Sequence, residues 1–294
     1  MTNACPVCDA GRPPLLYEQP DFRVYRCRHC GLAFAVGKRP GWPVAPGEDQ
    51  HEPDLGRRYV KEVFLDHSTF WDKYWRRQLS RIAPLVSAPN PRVLDIGCGV
   101  GQFLYAARQM GWQTVGVESS TEQAEFARTA FGLEVHGVHF EEAGFHPHSF
   151  DVVTLWNVIE HVSDPKAVMS QVRGLTKPGG LLALRTPNQG SLITWLAHLT
   201  YVLSKGKRWL PIFSEEHRLR FSAPTLRKLL DATGFQLISI CQDDNAKAML
   251  TRLNLLPYRG LRSVVLYLVH WAAWLMGKQN QLLAIARPAS DGAA

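Results

Sequence analysis

Apolar and polar positions alternate along most of the chain in a way that predicts strands and helices in turn. Short apolar runs predict strands at 92–96, 113–118, 150–156, 180–185, 235–241 and 281–287. Apolar residues at three- and four-residue spacing predict helices at 57–83, 102–110, 121–131, 165–175 and 223–233. Because strands and helices follow one another, the pattern predicts an α/β fold with a doubly wound, mostly parallel sheet.

The same pattern divides the chain into three parts. Residues 1–36 form a small unit with little apolar core, and the Pro- and Gly-rich stretch 37–56 reads as a linker. The remaining residues, 57–294, form the main domain, which is interrupted by apolar insertions at 189–217 and 245–280. Each insertion follows the carboxyl end of a predicted strand, which is the edge where open α/β sheets bind ligands.

Composition excludes several classes of protein. The chain has 294 residues, of which 46% are hydrophobic and 20% charged. These values are those of a globular protein and exclude a disordered chain, a collagen-like repeat and a disulfide-stapled miniprotein. The net charge of +7 permits RNA, phosphate or a membrane surface as a partner but requires none.

The second insertion contains the longest apolar stretch, Val264–Gly277. It is too short to span a bilayer, and the amino terminus lacks the pattern of a signal peptide, so we expect a cytoplasmic protein with reduced thiols. The stretch is either a lid helix buried on the sheet or an interfacial segment with Trp271 and Trp274 at a membrane surface. The first insertion repeats this arrangement, because its apolar residues are followed by the basic residues Lys205, Lys207 and Arg208. Together the insertions predict an apolar roof over a ligand site at this edge of the sheet and permit peripheral membrane contact.

Four of the six cysteines form two C-x2-C pairs, Cys5 with Cys8 and Cys27 with Cys30. Two such pairs can complete a tetrahedron of thiolates around Zn²⁺, and four protein ligands leave no open position for catalysis. The spacing therefore predicts a structural zinc site, with free thiols or an iron centre as the alternatives.

A glycine-rich turn follows the first strand of the main domain. Gly97, Gly99 and Gly101 lie between this strand and a predicted helix, in the sequence VLDIGCGVGQF. Glycines permit tight turns and close approach of the backbone to a ligand, although dinucleotide sites share this pattern. Asp95 precedes the turn, and Glu118 ends the next strand, where an acid can bind ribose hydroxyls. A carboxylate this close to the turn would be unfavourable beside a pyrophosphate.

These residues resemble the class I S-adenosylmethionine methyltransferases, and the resemblance extends over residues 85–290. The segments FDVVTLWNVIEHVSDP (150–165), KPGGLLALRTPN (177–188) and QLLAIARP (281–288) are similar to the fourth, fifth and last strands of that family. EEHRLRFSAPTLRKLLDATGF (215–235) is similar to a segment of its small-molecule, UbiG-like group. The resemblance implies a Rossmann-like sheet of seven strands whose last strand is antiparallel.

The resemblance also implies which residues hold S-adenosylmethionine. Asp95 would hold the methionine amino group, the three glycines would line the methionine and ribose, and Glu118 would bind the ribose hydroxyls. The full set of candidate cofactor residues is Asp95, Gly97, Cys98, Gly99, Gly101, Phe103, Glu118, Ser119, Trp156 and Asn157.

Methyl transfer requires alignment of the reacting atoms, and an oxygen nucleophile also needs a base. His161 and His217 are the candidate catalytic residues because both are expected at the carboxyl edge of the sheet; each could instead bind a loop backbone. Some relatives hold a divalent cation through an E-x-x-E-H pattern. Asn157 replaces the first acid of that pattern here, so no catalytic metal is expected.

The sequence thus predicts a methyltransferase that acts on a small molecule, at a hydroxyl of a glycan, a glycolipid or another secondary metabolite, and the acceptor can be lipid-linked. One alternative is an rRNA or other RNA methyltransferase that docks RNA on the cysteine unit, since zinc ribbons precede an rRNA guanine methyltransferase and certain sugar methyltransferases. Arg23, Arg26 and Arg28 favour RNA, whereas the apolar insertions oppose it. The other alternative is a regulatory protein that binds S-adenosylmethionine without turnover.

Overall fold

The structure, a computed structural model, describes residues 4–38, 68–205, 217–243 and 261–290. The predicted linker lies outside these ranges except for its first two residues, as do Lys207 and Arg208 of the first insertion and most of the first half of the second insertion. Helices and strands alternate in the described part of the main domain, and the predicted α/β class is confirmed.

The cysteine unit, called the ribbon below, folds as three antiparallel strands. These are β1 (Leu15–Glu18), β2 (Phe22–Arg26) and β3 (Ala33–Gly37). A fourth strand joins this sheet from the main domain, β9 (Leu219–Arg220), which pairs with β3.

The main sheet has seven strands in the order β10-β11-β8-β7-β4-β5-β6. Their bounds are β4 (Arg92–Ile96), β5 (Gln113–Val117), β6 (Glu134–His136), β7 (Phe150–Trp156), β8 (Thr176–Pro187), β10 (Phe235–Asp243) and β11 (Gln281–Pro288). Strands β4 to β8 are parallel to one another, and β11 is antiparallel to both of its neighbours. The predicted seven-stranded sheet with a reversed last strand is confirmed.

Seven helices lie in the described residues: α1 (Ser68–Ile82), α2 (Gln102–Arg108), α3 (Thr121–Phe131), α4 (Pro165–Leu175), α5 (Leu192–Leu203), α6 (Ala223–Ala232) and α7 (Leu261–Leu275). Side chains satisfy the free backbone donors where several of them begin. Ser120 accepts from Gln123 N before α3, and Asp164 accepts from Ala167 N before α4. Helices α5 and α7 belong to the first and second insertions and pack against each other.

The core has two layers, one on each face of the main sheet. Leu94 and Ile96 of β4 point into one layer and Val93 into the other, as expected for successive residues of a strand. The ribbon is continuous with the first layer, because its Leu32 and Phe34 belong to the same buried cluster as those two residues. None of the helices in the described ranges is long and apolar enough to cross a membrane.

Candidate functional site

The glycine turn connects β4 to α2 at the carboxyl edge of the sheet. Gly97 and Gly101 have backbone φ values of +67° and +80°, in the left-handed region that favours glycine. A Cβ atom on Gly97 would lie 2.6 Å from a methyl carbon of Val158, and one on Gly101 would lie 2.5 Å from a methyl carbon of Leu133. Both positions therefore require glycine, for conformation and for space.

Glu118, just beyond the end of β5, holds the turn in place. Its carboxylate accepts hydrogen bonds from Gly99 N and from Ser120 N, each at 2.8 Å. Burial raises the pKa of Glu118, and the backbone donors around it act against that shift. Ser119, which lies between Glu118 and Ser120 in the sequence, is exposed. The predicted ribose acid thus lies within hydrogen-bonding distance of the glycine turn.

Asp95 lies on β4 beneath the same turn and is only 1% exposed. One carboxylate oxygen accepts a hydrogen bond of 2.7 Å from the Thr154 hydroxyl. Burial raises the pKa of Asp95 to about 8; the Thr154 hydrogen bond opposes this shift and the nearby Glu118 carboxylate adds to it. A cation placed between the two carboxylates would stabilise both of them in their charged form.

Aromatic rings from three elements meet beside the turn. Phe103 and Trp156 lie 5.1 Å apart, and Trp75 of α1 lies 5.1 Å from Trp156 (all ring centroids). Phe103 is fully buried, so its side chain supports the turn from below, and the side chain of Cys98 is also buried. The indole nitrogen of Trp156 and the amide nitrogen of Gln102 are buried donors with no hydrogen-bond partner among the described residues.

These groups fit S-adenosylmethionine. The glycine turn leaves room for a ligand to approach the backbone closely. The carboxylates of Asp95 and Glu118 can bind a cation or hydroxyl donors. The buried donors of Trp156 and Gln102 can bind acceptor atoms of a ligand. The residues that would hold the cofactor are Asp95, the glycine turn, Glu118 and the ring of Trp156.

Asn157 makes hydrogen bonds within the protein, and its assignment to the cofactor stays a prediction. Its backbone is in the left-handed region with φ of +60°, and its side-chain oxygen accepts from Arg185 at 2.6 Å. Its amide nitrogen donates to Gln281 at 3.4 Å. In this structure the side chain therefore binds protein groups at the ends of β8 and β11.

The side chain of Arg185 lies near a buried acid that the sequence pattern does not identify. Asp243 at the end of β10 accepts from the Tyr74 hydroxyl at 3.2 Å and lies 3.0 Å from an Arg81 nitrogen, and Arg185 Nε is 3.4 Å away. Through these contacts Asp243 joins α1 to the sheet and fixes Trp75 next to the glycine turn. Arg185 at the end of the apolar run GLLALR indicates that its charge needs a partner, but the sequence does not identify Asp243 as that partner.

The two candidate catalytic histidines lie together, 4.8 Å apart by ring centroids. Glu160 completes the group, since ligand atoms of the three side chains lie within 4.8 Å of one another. Glu160 is fully buried; one carboxylate oxygen accepts from the Thr186 hydroxyl at 3.0 Å, whereas the other oxygen has no partner among the described residues.

Burial determines the charge of this group. It lowers the pKa of His217 to about 3, with further contributions from His161 and Arg220, so this imidazole stays neutral. Burial also raises the pKa of Glu160. A neutral imidazole can accept a proton, and two imidazoles with a carboxylate could equally hold a divalent cation. The expectation that this chain has no catalytic metal stays a prediction.

The four predicted metal ligands converge in the ribbon. Cys5 Sγ lies 3.4 Å from Cys30 Sγ, and Cys8 Sγ lies 3.5 Å from Cys27 Sγ. All four sulfurs lie within 4.8 Å of one another. Zinc–sulfur bonds of about 2.3 Å would place tetrahedral sulfurs about 3.8 Å apart, so the cluster fits Zn²⁺ with a small expansion.

Comparison with known proteins supports the assignment of a methyltransferase domain. The chain is 35% identical over 118 residues to the "Ubiquinone biosynthesis O-methyltransferase" of Xanthomonas campestris pv. campestris, which covers 38% of this chain and 49% of that protein. The chain therefore spans about half the length of this curated relative.

Solved structures show the fold. A SAM-dependent methyltransferase from Archaeoglobus fulgidus matches with a TM-score of 0.51 and 20% identity, over 76% of this chain and 99% of that one. The [4+2]-cyclase SpnF matches with a TM-score of 0.51 and 18% identity, over 74% of this chain and 82% of that one. A cyclase with this fold shows that the fold alone does not define the reaction. The model of a family described as a methyltransferase domain matches residues 66–240, and the chain belongs to that family.

Proposed function

We propose that the protein is an S-adenosylmethionine-dependent O-methyltransferase that acts on a small acceptor with an apolar or lipid-linked part. The observation that carries this proposal is the position of the His161–His217 pair at the same sheet edge as the glycine turn and its two acids. Binding groups and a proton acceptor on one edge suit transfer to a hydroxyl.

The bound cofactor would supply a methyl group activated by a sulfonium sulfur. The chain's own residues provide alignment and charge. Asp95 and Glu118 stabilise positive charge and bind hydroxyls at the turn, and Trp75 and Trp156 provide aromatic surface beside it. Asp243 keeps α1, and with it Trp75, in place.

His217 is the group that takes the proton of the acceptor hydroxyl; its Nδ1 is buried and has no hydrogen-bond partner among the described residues. Burial, the largest cause, lowers the pKa of His217 to about 3, so the ring is neutral before the acceptor binds. His161, in ring contact and partly exposed, passes the proton towards solvent. Both histidines act on the proton of the oxygen nucleophile. The leaving group needs no general acid, because the sulfonium leaves as a neutral thioether.

The apolar surface of the two insertion helices supports an acceptor that is lipid-linked. Trp271 and Trp274 on α7 are 54% and 61% exposed. The other large exposed apolar residues of this surface are Trp195, Leu199, Val202 and Leu203 on α5, with Leu268, Leu275 and Met276 on or beside α7. Lys205 and Lys278 flank it, and tryptophans with basic neighbours are typical of contact with an anionic bilayer surface.

Transfer of isotopic methyl from S-adenosylmethionine tests the activity. A cell extract is incubated with the enzyme and separated into lipid, polar small-molecule and RNA fractions. Catechol and decyl-substituted catechol serve as a matched pair of defined acceptors. We expect label in the lipid fraction and a lower KM for the decyl compound. Label in polar glycans alone would refute the apolar acceptor, and label in RNA would replace this proposal with the RNA alternative. Binding of S-adenosylmethionine without any turnover would identify a regulatory protein.

Flotation with vesicles of phosphatidylglycerol and phosphatidylcholine tests the membrane contact separately. We expect co-flotation that is lost in the double variant Trp271→Gln/Trp274→Gln. The matched control is Trp112→Phe, because Trp112 is buried in the core. Wild-type protein that stays at the bottom of the gradient would contradict membrane contact and leave the proposed chemistry intact.

A further inference from the structure

The ribbon shares a sheet with the chain segment that follows His217. Strands β3 and β9 pair antiparallel, with Ala33 opposite Arg220 and Phe34 opposite Leu219. Ala35 N also donates to Arg218 O at 2.8 Å. Because β9 begins two residues after His217, the ribbon holds the backbone next to this candidate catalytic side chain.

The other edge of the same segment is bound by the main domain. Leu219 N donates to Glu160 O at 2.9 Å, and Gln189 N donates to Phe221 O at 2.8 Å. The segment 217–221 is thus clamped between the ribbon and the loops at the carboxyl edge of the sheet. Removal of either side would release His217 from its position beside His161.

A second contact joins the ribbon to the first insertion. Tyr17 of β1 is 2% exposed, and its hydroxyl lies 2.8 Å from His198 Nδ1. Its ring packs edge-on against His198 at 5.6 Å and against Tyr201 at 4.9 Å, measured between ring centroids. Both partners lie on α5, the helix that carries part of the exposed apolar surface.

A buried charge connects the two contacts. Arg220 of β9 is buried, and burial lowers its pKa to about 9, whereas Glu160 and Tyr17 both act to raise it. The guanidinium is therefore within electrostatic range of both the Tyr17 phenol and the Glu160 carboxylate.

We propose that the ribbon is one wall of the acceptor site, in which β3 positions His217 and Tyr17 positions helix α5 through His198. This inference rests on the proposed function only for the expected change in the KM for the acceptor. Tyr17 is accordingly a positioning residue, and the ribbon is an integral part of the methyltransferase rather than a docking module attached to it.

Hydrogen exchange followed by mass spectrometry on the full-length, zinc-loaded protein tests the contact. In Tyr17→Phe the lost hydrogen bond should speed amide exchange in residues 192–203 about two- to tenfold. His198→Gln should give the same change, and the double variant should give no more than either single one. Tyr25→Phe is the matched control, because Tyr25 also lies in the ribbon but packs on Phe34 rather than on α5.

Steady-state kinetics with decyl-catechol provides a result that general loss of structure would not give. Tyr17→Phe should raise the KM for this acceptor about two- to tenfold and leave kcat and the Kd for S-adenosylmethionine within twofold. A fall in kcat at constant KM, or exchange in 192–203 that is unchanged or that changes equally in Tyr25→Phe, would overturn the inference. If wild-type enzyme methylates no acceptor, the proposed function is at fault, and the exchange measurement still decides whether Tyr17 positions α5.

Discussion

Replacement of Asp95 by asparagine separates a binding role of this carboxylate from a structural one. Asp95 is buried, and its pKa is raised to about 8, so at neutral pH it is largely protonated in the unliganded protein. If it holds the amino group of S-adenosylmethionine, it must ionise on binding. The affinity for this cofactor should therefore depend on pH in the wild type and not in Asp95→Asn.

The magnitude follows from the pKa. Ionisation of a carboxyl with a pKa of about 8 costs about 2.7 kcal/mol at pH 6 and about 0.7 kcal/mol at pH 7.5. The Kd of the wild type should therefore tighten up to about 30-fold over this interval, in which a free α-amino group stays mostly charged. A hydrogen bond between charged groups contributes about 1.5–3 kcal/mol. Once the ionisation cost is subtracted, the wild type should bind between about twofold more tightly and about eightfold more weakly than the variant at pH 6, and about 4- to 50-fold more tightly at pH 7.5.

Isothermal titration calorimetry at pH 6, 6.5, 7 and 7.5 measures the slope of Kd against pH for both proteins. Buffers of different ionisation enthalpy report the proton released on binding. Asp151→Asn is the matched control, since Asp151 lies at the opposite end of the sheet and pairs with Lys177 at 2.9 Å. Parallel slopes for wild type and Asp95→Asn, or an equal change of slope in Asp151→Asn, would refute the assignment.

The stability of the unliganded protein tests independently whether the pKa of Asp95 is raised. Folded Asp95 keeps a proton that the unfolded chain has lost above about pH 4, so this group lowers stability as the pH rises from about 4 to about 8. Asp95→Asn should remove that decline. Thermal unfolding across this range measures it, and a decline of equal size in the variant would contradict the raised pKa.

Four further substitutions test other parts of the site. Gly97→Ala should destabilise the protein by about 2–5 kcal/mol in urea unfolding, and adding Val158→Ala should recover only the part due to overpacking, because the left-handed backbone remains. Glu118→Gln should weaken S-adenosylmethionine binding in calorimetry by about 1–3 kcal/mol and loosen the turn, and an unchanged Kd would remove this acid from the cofactor site. His217→Gln should leave that Kd unchanged and lower methyl transfer about 100-fold or more, whereas normal turnover would exclude it as the base. Cys27→Ser should release the metal in a chelator-dye assay and lower the Tm of the whole protein, because the ribbon shares the main core; an unchanged Tm would show that the ribbon is independent.

The glycine turn and its acids could be predicted because their signal is local. Asp95, the three glycines and Glu118 lie within about one strand–helix–strand unit, whose geometry fixes their mutual positions. The strands of the main sheet were predicted for the same reason, except β6. With three residues, Glu134–His136, this strand is too short to show a period.

Contacts between distant parts of the chain gave no such signal. Asp243 meets Tyr74 across a sequence separation of 169 residues, and Tyr17 meets His198 across 181. The position of Asn157 after β7 predicts a place beside the cofactor, which stays a prediction, but does not indicate the hydrogen bonds of its side chain to Arg185 and Gln281. A residue's place in a motif thus predicts which edge it occupies but not which neighbour its side chain contacts.

The ribbon shows how this limit affects the choice between functions. Seen in the sequence, residues 1–36 end in a Pro- and Gly-rich stretch and read as a separate module that could dock RNA. In the structure one outer edge of its sheet is occupied by β9, and Arg23, one of the three basic residues that favoured RNA, is paired with Glu18 at 3.0 Å. An RNA-docking module needs a free basic face, whereas Arg23 is paired here; one face of the ribbon has a small buried cluster of its own, and the other face is continuous with the core of the main domain. The contacts therefore favour a ribbon that shapes the site over one that recruits a nucleic acid.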